Sequence, residues 1–378
     1  MSLEQQLAAL PFDTESMVTR LRTWVECESP SYDASTVNRM MTLAAEDMAA
    51  MGARVERIPG TGGMADCIRA TFSENGEPGI LAMGHLDTVH PVDTLHQLPW
   101  RREGGRIYGP GILDMKGGNF IVLEALRQLK AAGIRTGLPV TVLFTSDEEI
   151  GSPSTRALIE TEAARHKYVL IPEPARPNGG VVVGRYAIAR MNLRATGTPS
   201  HAGGHLSDGR SAIRIMAEKL IELEKLTCED FTFSVGVING GKWVNCVARE
   251  CTGEALSMAK TQADLDLAIS RAKALVFESA GASFSVEVSA TRPIWNTTDA
   301  TMQLYEVAKD EARRIGFELP HQLSGGGSDG NFTGALGLNT LDGLGLRGAG
   351  MHTLNEYIEE DSLVERARLM AGLLARLN

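Results

Sequence analysis

The sequence predicts an α/β fold: a mostly parallel sheet covered by helices and interrupted by an inserted α+β domain. Three observations carry this expectation. Short apolar runs at 79–85, 139–147 and 168–174 are interleaved with helical spacing, as in parallel sheets buried on both faces. From about residue 185 the order becomes β-α-β-β-α-β, that of a ferredoxin-like unit. After the unit, helical spacing returns and runs to the end. The expected division is 1–184 plus 294–378 for the larger domain and 185–293 for the insert. A length of 378 residues suits two domains.

In chain order, residues 5–28 and 34–52 carry helical apolar spacing. Between the first two apolar runs, 115–133 reads as a helix. Its Phe120, Leu123, Leu126 and Leu129 recur every three residues, and Gly133 stops it. The insert reads as strand 186–197, helix 209–226, strands 231–240 and 243–256, helix 263–280 and strand 283–290. The last segment reads as helix 299–316, a glycine-rich loop and helix 361–377.

Bulk properties narrow the function. Lys and Arg total 37 against 47 Asp and Glu, a net charge of −10, which argues against a nucleic-acid partner. No apolar run reaches the roughly 18 residues a membrane helix needs. The opening MSLEQQLAALPFDTES lacks a basic region followed by a long apolar stretch, so no signal peptide and no membrane partner are expected. Cys27, Cys67, Cys228, Cys246 and Cys251 are scattered without a C-x-x-C, the usage of reduced thiols in a cytoplasmic protein.

The stretch TVLFTSDEEIGS places Asp147, Glu148 and Glu149 at the end of an apparently buried strand. Three adjacent carboxylates repel one another and need a cationic partner. Other polar residues fall at equivalent places: His85 and Asp87 close one strand, Glu173 closes another, and Asp114 precedes a helix. Ligands of open parallel sheets bind beyond these carboxyl ends. Each residue alone has a commoner structural explanation: a satisfied core histidine, a solvated turn, a helix N-cap. Their joint arrival at successive strand ends favours a hard or borderline divalent cation. Neighbours on an extended segment point apart, so one of Glu148 and Glu149 can ligate while the other faces a water. His85 and Asp87 point the same way, which lets Asp87 accept the second N–H of His85.

The ordered motifs MGHLDTVHP, GPGILDMKGG, FTSDEEIGS, IPEP, GTPSHAG, SGGGSD and GLRGAGMHTLNEYI resemble the M20 metallopeptidases. The similarity is to the carboxypeptidase G2, acetylornithine deacetylase and succinyl-diaminopimelate desuccinylase type. It spans nearly the whole chain and implies a zinc-exopeptidase-like catalytic domain with an inserted dimerisation or lid domain. It also implies two divalent metals, Zn2+ with Co2+ or Mn2+ as alternatives. His85 and Glu173 would hold one, Glu149 and His352 the other, and Asp114 would bridge them. Glu148 would be the general base, Asp87 the partner of His85, and His201 an oxyanion donor across a homodimer.

The chain departs from the family in its substrate-facing residues. Asn245 is present, but Leu256-Ser257-Met258 stands where relatives carry Asp-Val-Arg. The basic residue that often follows the glutamate ligand is also missing from NGGVVVG. Arg292, Ser324 and the Gly325, Gly326 and Gly327 amides remain as candidate carboxylate binders. The expected activity is hydrolysis of an amide in an N-acyl amino acid or small peptide. An aromatic or non-peptide amide is the alternative that Met258 suggests. A catalytically silent metal-dependent binder is disfavoured by the intact base.

Overall fold

The computed structural model describes residues 1–72 and 78–378. The chain divides into two compact units: Met1–Gly184 with Asn296–Leu323 and Ser328–Asn378, and Arg185–Trp295 with Ser324–Gly327.

The first unit is built on a six-stranded sheet. Its order is Arg54–Ile58, Cys67–Thr71, Val140–Thr145, Ile80–His85, Tyr168–Leu170 and Asn339–Leu341. The last four strands run parallel, and the first two pair antiparallel along one edge. The sheet is therefore mostly parallel. Every residue of Ile80–His85 and of Val140–Thr145 is buried, which is why both read as unbroken apolar runs. Their register runs from Ile80 opposite Val140 to His85 opposite Thr145, so the two strands end level. The acids and histidine that follow them emerge at one edge.

Helices Gly117–Ala131 and Asp361–Arg376 contribute Phe120, Leu123, Leu126, Leu363, Met370 and Leu374 to the main core. Trp24 meets Phe120 and Phe144 edge-on, each at a centroid distance of 6.1 Å, and its Nε1 donates to Asp47 at 2.8 Å. That bond satisfies the one polar atom of this buried indole. The helical spacing over 5–28 resolves into two helices, Leu3–Ala8 and Thr14–Glu26. Pro11 lies in the break, and Asp13 caps the second helix by accepting from Ser16 N at 2.7 Å.

The second unit is a five-stranded antiparallel sheet. Its order is Phe231–Gly240, Glu250–Ala259, Ala187–Thr196, Ala282–Arg292 and Phe277–Ser279. Helices Ala212–Glu224 and Gln262–Lys273 pack with it. Ala187, Ala189, Met191, Leu193 and Ala195 are buried, while Asn192 and Arg194 between them are exposed. Two boundaries differ from the sequence reading. The strand expected from 243 begins at Glu250, because 243–249 form a loop with Trp243 and Val244 exposed. The helix expected over 263–280 stops at Lys273, and Phe277–Ser279 instead hairpins onto Ala282–Phe284 around Gly281, whose φ is +79°.

Among the described residues, no helix is long and apolar enough to cross a membrane.

Candidate metal centre

His85 is the last residue of a buried strand, and its Asp87 neighbour lies just beyond it. Asp114 sits on an irregular turn, Ile112–Lys116, ahead of helix Gly117–Ala131. Gly111 opens that turn at φ +68°, where an added Cβ would stand 2.5 Å from Thr88 Cγ2. Glu148 and Glu149 form a single 3-10 turn, Glu148–Ile150, after strand Val140–Thr145. Glu173 follows Tyr168–Leu170 by way of Ile171 and Pro172. His352 lies on a late loop at φ +61°.

These residues, 267 positions apart at the extremes by number (85 to 352), converge. His85 Nε2 lies 3.2 Å from Asp114 Oδ1, and His352 Nε2 lies 3.1 Å from Asp114 Oδ2. Glu173 Oε1 is 3.8 Å from His85 Nε2, and Glu149 Oε2 is 3.3 Å from His352 Nε2. Glu148 Oε2 is 3.9 Å from His85 Nε2. One donor atom each from His85, Asp114 and Glu149 falls within 4.8 Å of the others. Nitrogen and carboxylate oxygen donors without a thiolate suit a hard or borderline dication. Each Asp114 oxygen thus faces its own imidazole, with Glu149 beside His352 and with Glu173 and Glu148 at nearly equal distances from His85.

The electrostatics show the same need for positive charge. Burial, then the charge of Asp114, pushes the Glu149 carboxyl up to about 8. The same two causes push Glu173 well above the usual carboxylate range. Burial would raise Asp114 too, but His352 and His85 beside it hold it well below its ordinary value. Hydrogen bonds to Asp114 and Glu149 raise His352 to about 11. Burial opposes protonation of His85, yet Asp114 and Asp87 outweigh it and lift this imidazole well above its ordinary value. Protons held among these groups occupy a place that a dication can take.

One sequence expectation is refined and another corrected. Asp87 stands beside His85 as expected, with its main-chain carbonyl 2.9 Å from His85 Nδ1 and its carboxylate Oδ1 3.4 Å away. That carboxylate is already engaged by Ser31 Oγ at 2.6 Å and by the main-chain N–H groups of Glu148 and Glu149 at 3.2 Å each. Asp87 therefore anchors the turn that carries both glutamates, while its carbonyl orients the histidine. Asp147, the first of the three crowded acids, points away into its own loop. It accepts from Ser154 N at 2.7 Å, Ser154 Oγ at 2.8 Å and Thr155 Oγ1.

Helix Gly117–Ala131 must approach the Glu173 segment closely. A Cβ on Gly118 would fall 1.8 Å from the Pro172 carbonyl oxygen. We expect Gly118→Ala to cost about 1–3 kcal/mol by overpacking and to weaken metal retention, because Pro172 leads directly into Glu173. Urea unfolding with and without added metal checks both effects.

Within the second unit, His201 Nδ1 accepts from Gly203 N at 3.2 Å and Gly204 N at 3.1 Å. This fixes the tautomer and makes Nε2–H the available donor. Asn245 is exposed, and its carbonyl accepts from Ala202 N at 3.1 Å, next to His201. Arg292 is buried, and strand register aligns it with Ile188 and Met258 in one row. A Cβ on Gly327 would meet Ile188 Cδ1 at 2.5 Å and Arg292 Cδ at 2.7 Å, so the glycine loop packs directly on that row. Of the three amides expected to face an anion, that of Gly326 donates to Ser324 Oγ at 3.2 Å. Arg185 Nη1 holds the loop through the carbonyls of Gly326 at 2.9 Å and Gly327 at 3.2 Å.

Sequence reasoning passed over His90 and Glu356. Both are buried beneath the Asp114 turn. The available signal was an acid four residues after His352 in a loop otherwise rich in small and polar residues.

Comparison with known proteins agrees with this geometry. A family model described as peptidase family M20/M25/M40 matches residues 81–376. The chain is 29% identical over 375 residues to carboxypeptidase G2 of Pseudomonas sp. (strain RS-16), covering 96% of this chain and 89% of that protein. It is 30% identical over 245 residues to acetylornithine deacetylase of Pasteurella multocida, covering 59% of this chain and 61% of the relative. The fold matches human carnosine dipeptidase 1 with a TM-score of 0.80 at 16% identity, over 99% of both chains. With a family match across most of its length, the chain belongs to the M20 peptidases, metal-dependent hydrolases of peptide and amide bonds.

Proposed function

We propose that this protein is a two-metal hydrolase of an amide bond in an N-acyl amino acid or small peptide. The observation that carries the reading is Asp114, whose two oxygens stand 3.2 and 3.1 Å from the imidazoles of His85 and His352. His85 and Glu173 would hold one ion, His352 and Glu149 the other, with Asp114 between them. Zn2+ is the proposed metal, with Co2+ and Mn2+ able to use the same donors. When bound, such a pair polarises the substrate carbonyl and acidifies a water.

The chain's own residues supply the remaining chemistry. Glu148, about as near to His85 as Glu173 is, takes the role of base on the family resemblance, and its main-chain N–H rests on Asp87. It takes the proton from the attacking water and delivers it to the leaving nitrogen. The Nε2–H of His201 is the proposed donor to the developing oxyanion, contributed across a homodimer formed through the inserted domain. Arg292 is the proposed anchor for the substrate carboxylate, and Asn245 and the Ser324–Gly327 loop complete that end. The five free cysteines fit a reducing, cytoplasmic setting.

The row Met258–Ile188–Arg292 favours a substrate that joins an anionic group to an apolar or aromatic one. The second reading, hydrolysis of an aromatic or non-peptide amide, rests on Met258 in that row. A panel of N-acyl amino acids, dipeptides and N-acyl aromatic amines, assayed with Zn2+, Co2+ or Mn2+ added, separates the two. Turnover confined to carboxylate-bearing amides supports the first reading. Turnover only of amides lacking a carboxylate supports the second and removes Arg292 from its role.

A further inference from the structure

The Asp114 turn is a π-type turn broken by non-helical backbone at Asp114 and Met115, and the N–H groups of Gly111, Leu113 and Asp114 bond to one side chain, that of Glu356. Glu356 is fully buried. Its Oε1 accepts from Leu113 N at 2.8 Å and Asp114 N at 3.0 Å. Its Oε2 accepts from Gly111 N at 2.9 Å and His90 Nε2 at 2.7 Å. The carboxylate thus receives four donors, two on each oxygen, three of them from the turn itself. His90 lies just beyond the strand end that bears His85 and Asp87. Glu356 lies four residues after His352 in sequence.

We propose that Glu356, with His90, is a positioning residue for the paired metals. It fixes the Asp114 carboxylate and the His352 loop relative to one another, so that each Asp114 oxygen meets its own imidazole. The proposal rests on the two-metal reading above. It goes beyond that reading by assigning the metal geometry to a pair of residues that touch neither metal nor substrate. Among the described residues, the His90 ring provides the one donor to Glu356 that comes from outside the turn. It therefore joins the His85 strand end, the Asp114 turn and the His352 loop at a single carboxylate. Three separate stretches of chain that each bear proposed ligands meet there.

Glu356→Gln tests it. Glutamine keeps one oxygen for Leu113 and Asp114 but turns an NH2 group toward the Gly111 N–H, setting donor against donor. The readout is the dissociation constant for Co2+ and Zn2+, measured on full-length metal-free protein by competition with a chromophoric chelator. Thermal unfolding of the same metal-free samples is recorded alongside. Glu162→Gln serves as a matched control. It alters another buried acid, one bonded to Arg69 at 2.7 Å and away from the donor cluster. We expect Glu356→Gln to weaken metal binding by about 10- to 100-fold, as loss of a partner that orients a ligand typically does. His90→Gln, which retains a donor, should weaken it less than His90→Phe. Glu162→Gln should lower the unfolding temperature and leave metal affinity unchanged. Metal affinity within twofold of wild type in Glu356→Gln, with only a lower unfolding temperature, would reduce Glu356 to a structural role and overturn the proposal. Wild-type protein that takes up neither metal would instead overturn the two-metal reading, and this inference with it.

Discussion

Glu148→Gln is expected to keep both metals and to lose about 10²- to 10⁴-fold in kcat, with KM little changed. In the proposed reading Glu148 transfers the proton and does not ligate. Its N–H rests on Asp87 Oδ1 at 3.2 Å, and its nearest imidazole contact, His85 Nε2, is 3.9 Å away. Glutamine preserves the size and hydrogen-bonding reach of the side chain but cannot accept a proton and return it. The neighbouring substitution Glu149→Gln should behave oppositely, because Glu149 Oε2 is 3.3 Å from His352 and within the tight donor group. It should lose metal first and activity as a consequence. Steady-state kinetics, combined with elemental analysis of dialysed protein, separates the two. Glu148→Gln protein that turns over normally would remove Glu148 as the base.

Removal of metal has the second large effect, and its pH dependence has a defined sign. In the metal-free chain burial and Asp114 raise the Glu149 and Glu173 carboxyls, and the carboxylates beside them raise His352 and His85, so the cluster retains protons near neutrality. A metal must displace those protons to bind. Affinity therefore rises with pH and falls as the solution is acidified, and binding at pH 7 should release protons. Titration calorimetry in two buffers of different ionisation enthalpy measures the release. Chelation should abolish hydrolysis, and added Zn2+, Co2+ or Mn2+ should restore it. Metal at a thousandfold excess over its Kd should also stabilise the fold by about 4 kcal/mol. Affinity independent of pH, with no proton release, would contradict the ligand set.

Much of this candidate site was legible because its proposed ligands sit where local pattern is strongest. Ile80–His85 and Val140–Thr145 are continuous buried runs, so the polar residues ending them stood out. Asp114 and His352 were harder. One occupies an irregular turn and the other a left-handed loop position, and the motif resemblance, more than spacing, brought them in. Asp147 was misread because sequence proximity to Glu148 and Glu149 suggested a shared role. Its hydrogen bonds to Ser154 and Thr155 depend on how the following loop folds back. Glu356 and His90 were missed because their partnership spans 266 positions and leaves no periodic trace beyond an acid four residues after His352. In the inserted unit, residues 243–249 had the composition of a strand, yet Trp243 and Val244 lie exposed in a loop. Apolar content alone did not distinguish pairing from exposure there.

The level ending of Ile80–His85 and Val140–Thr145 constrains how this chain can vary in length. Deleting or adding a single residue inside either strand would reverse which side of the sheet its terminal residues face and carry the acids out of reach of one another. Length changes should therefore be accepted in connections distant from that edge, and variants with altered strand length should lose hydrolysis even when they still fold.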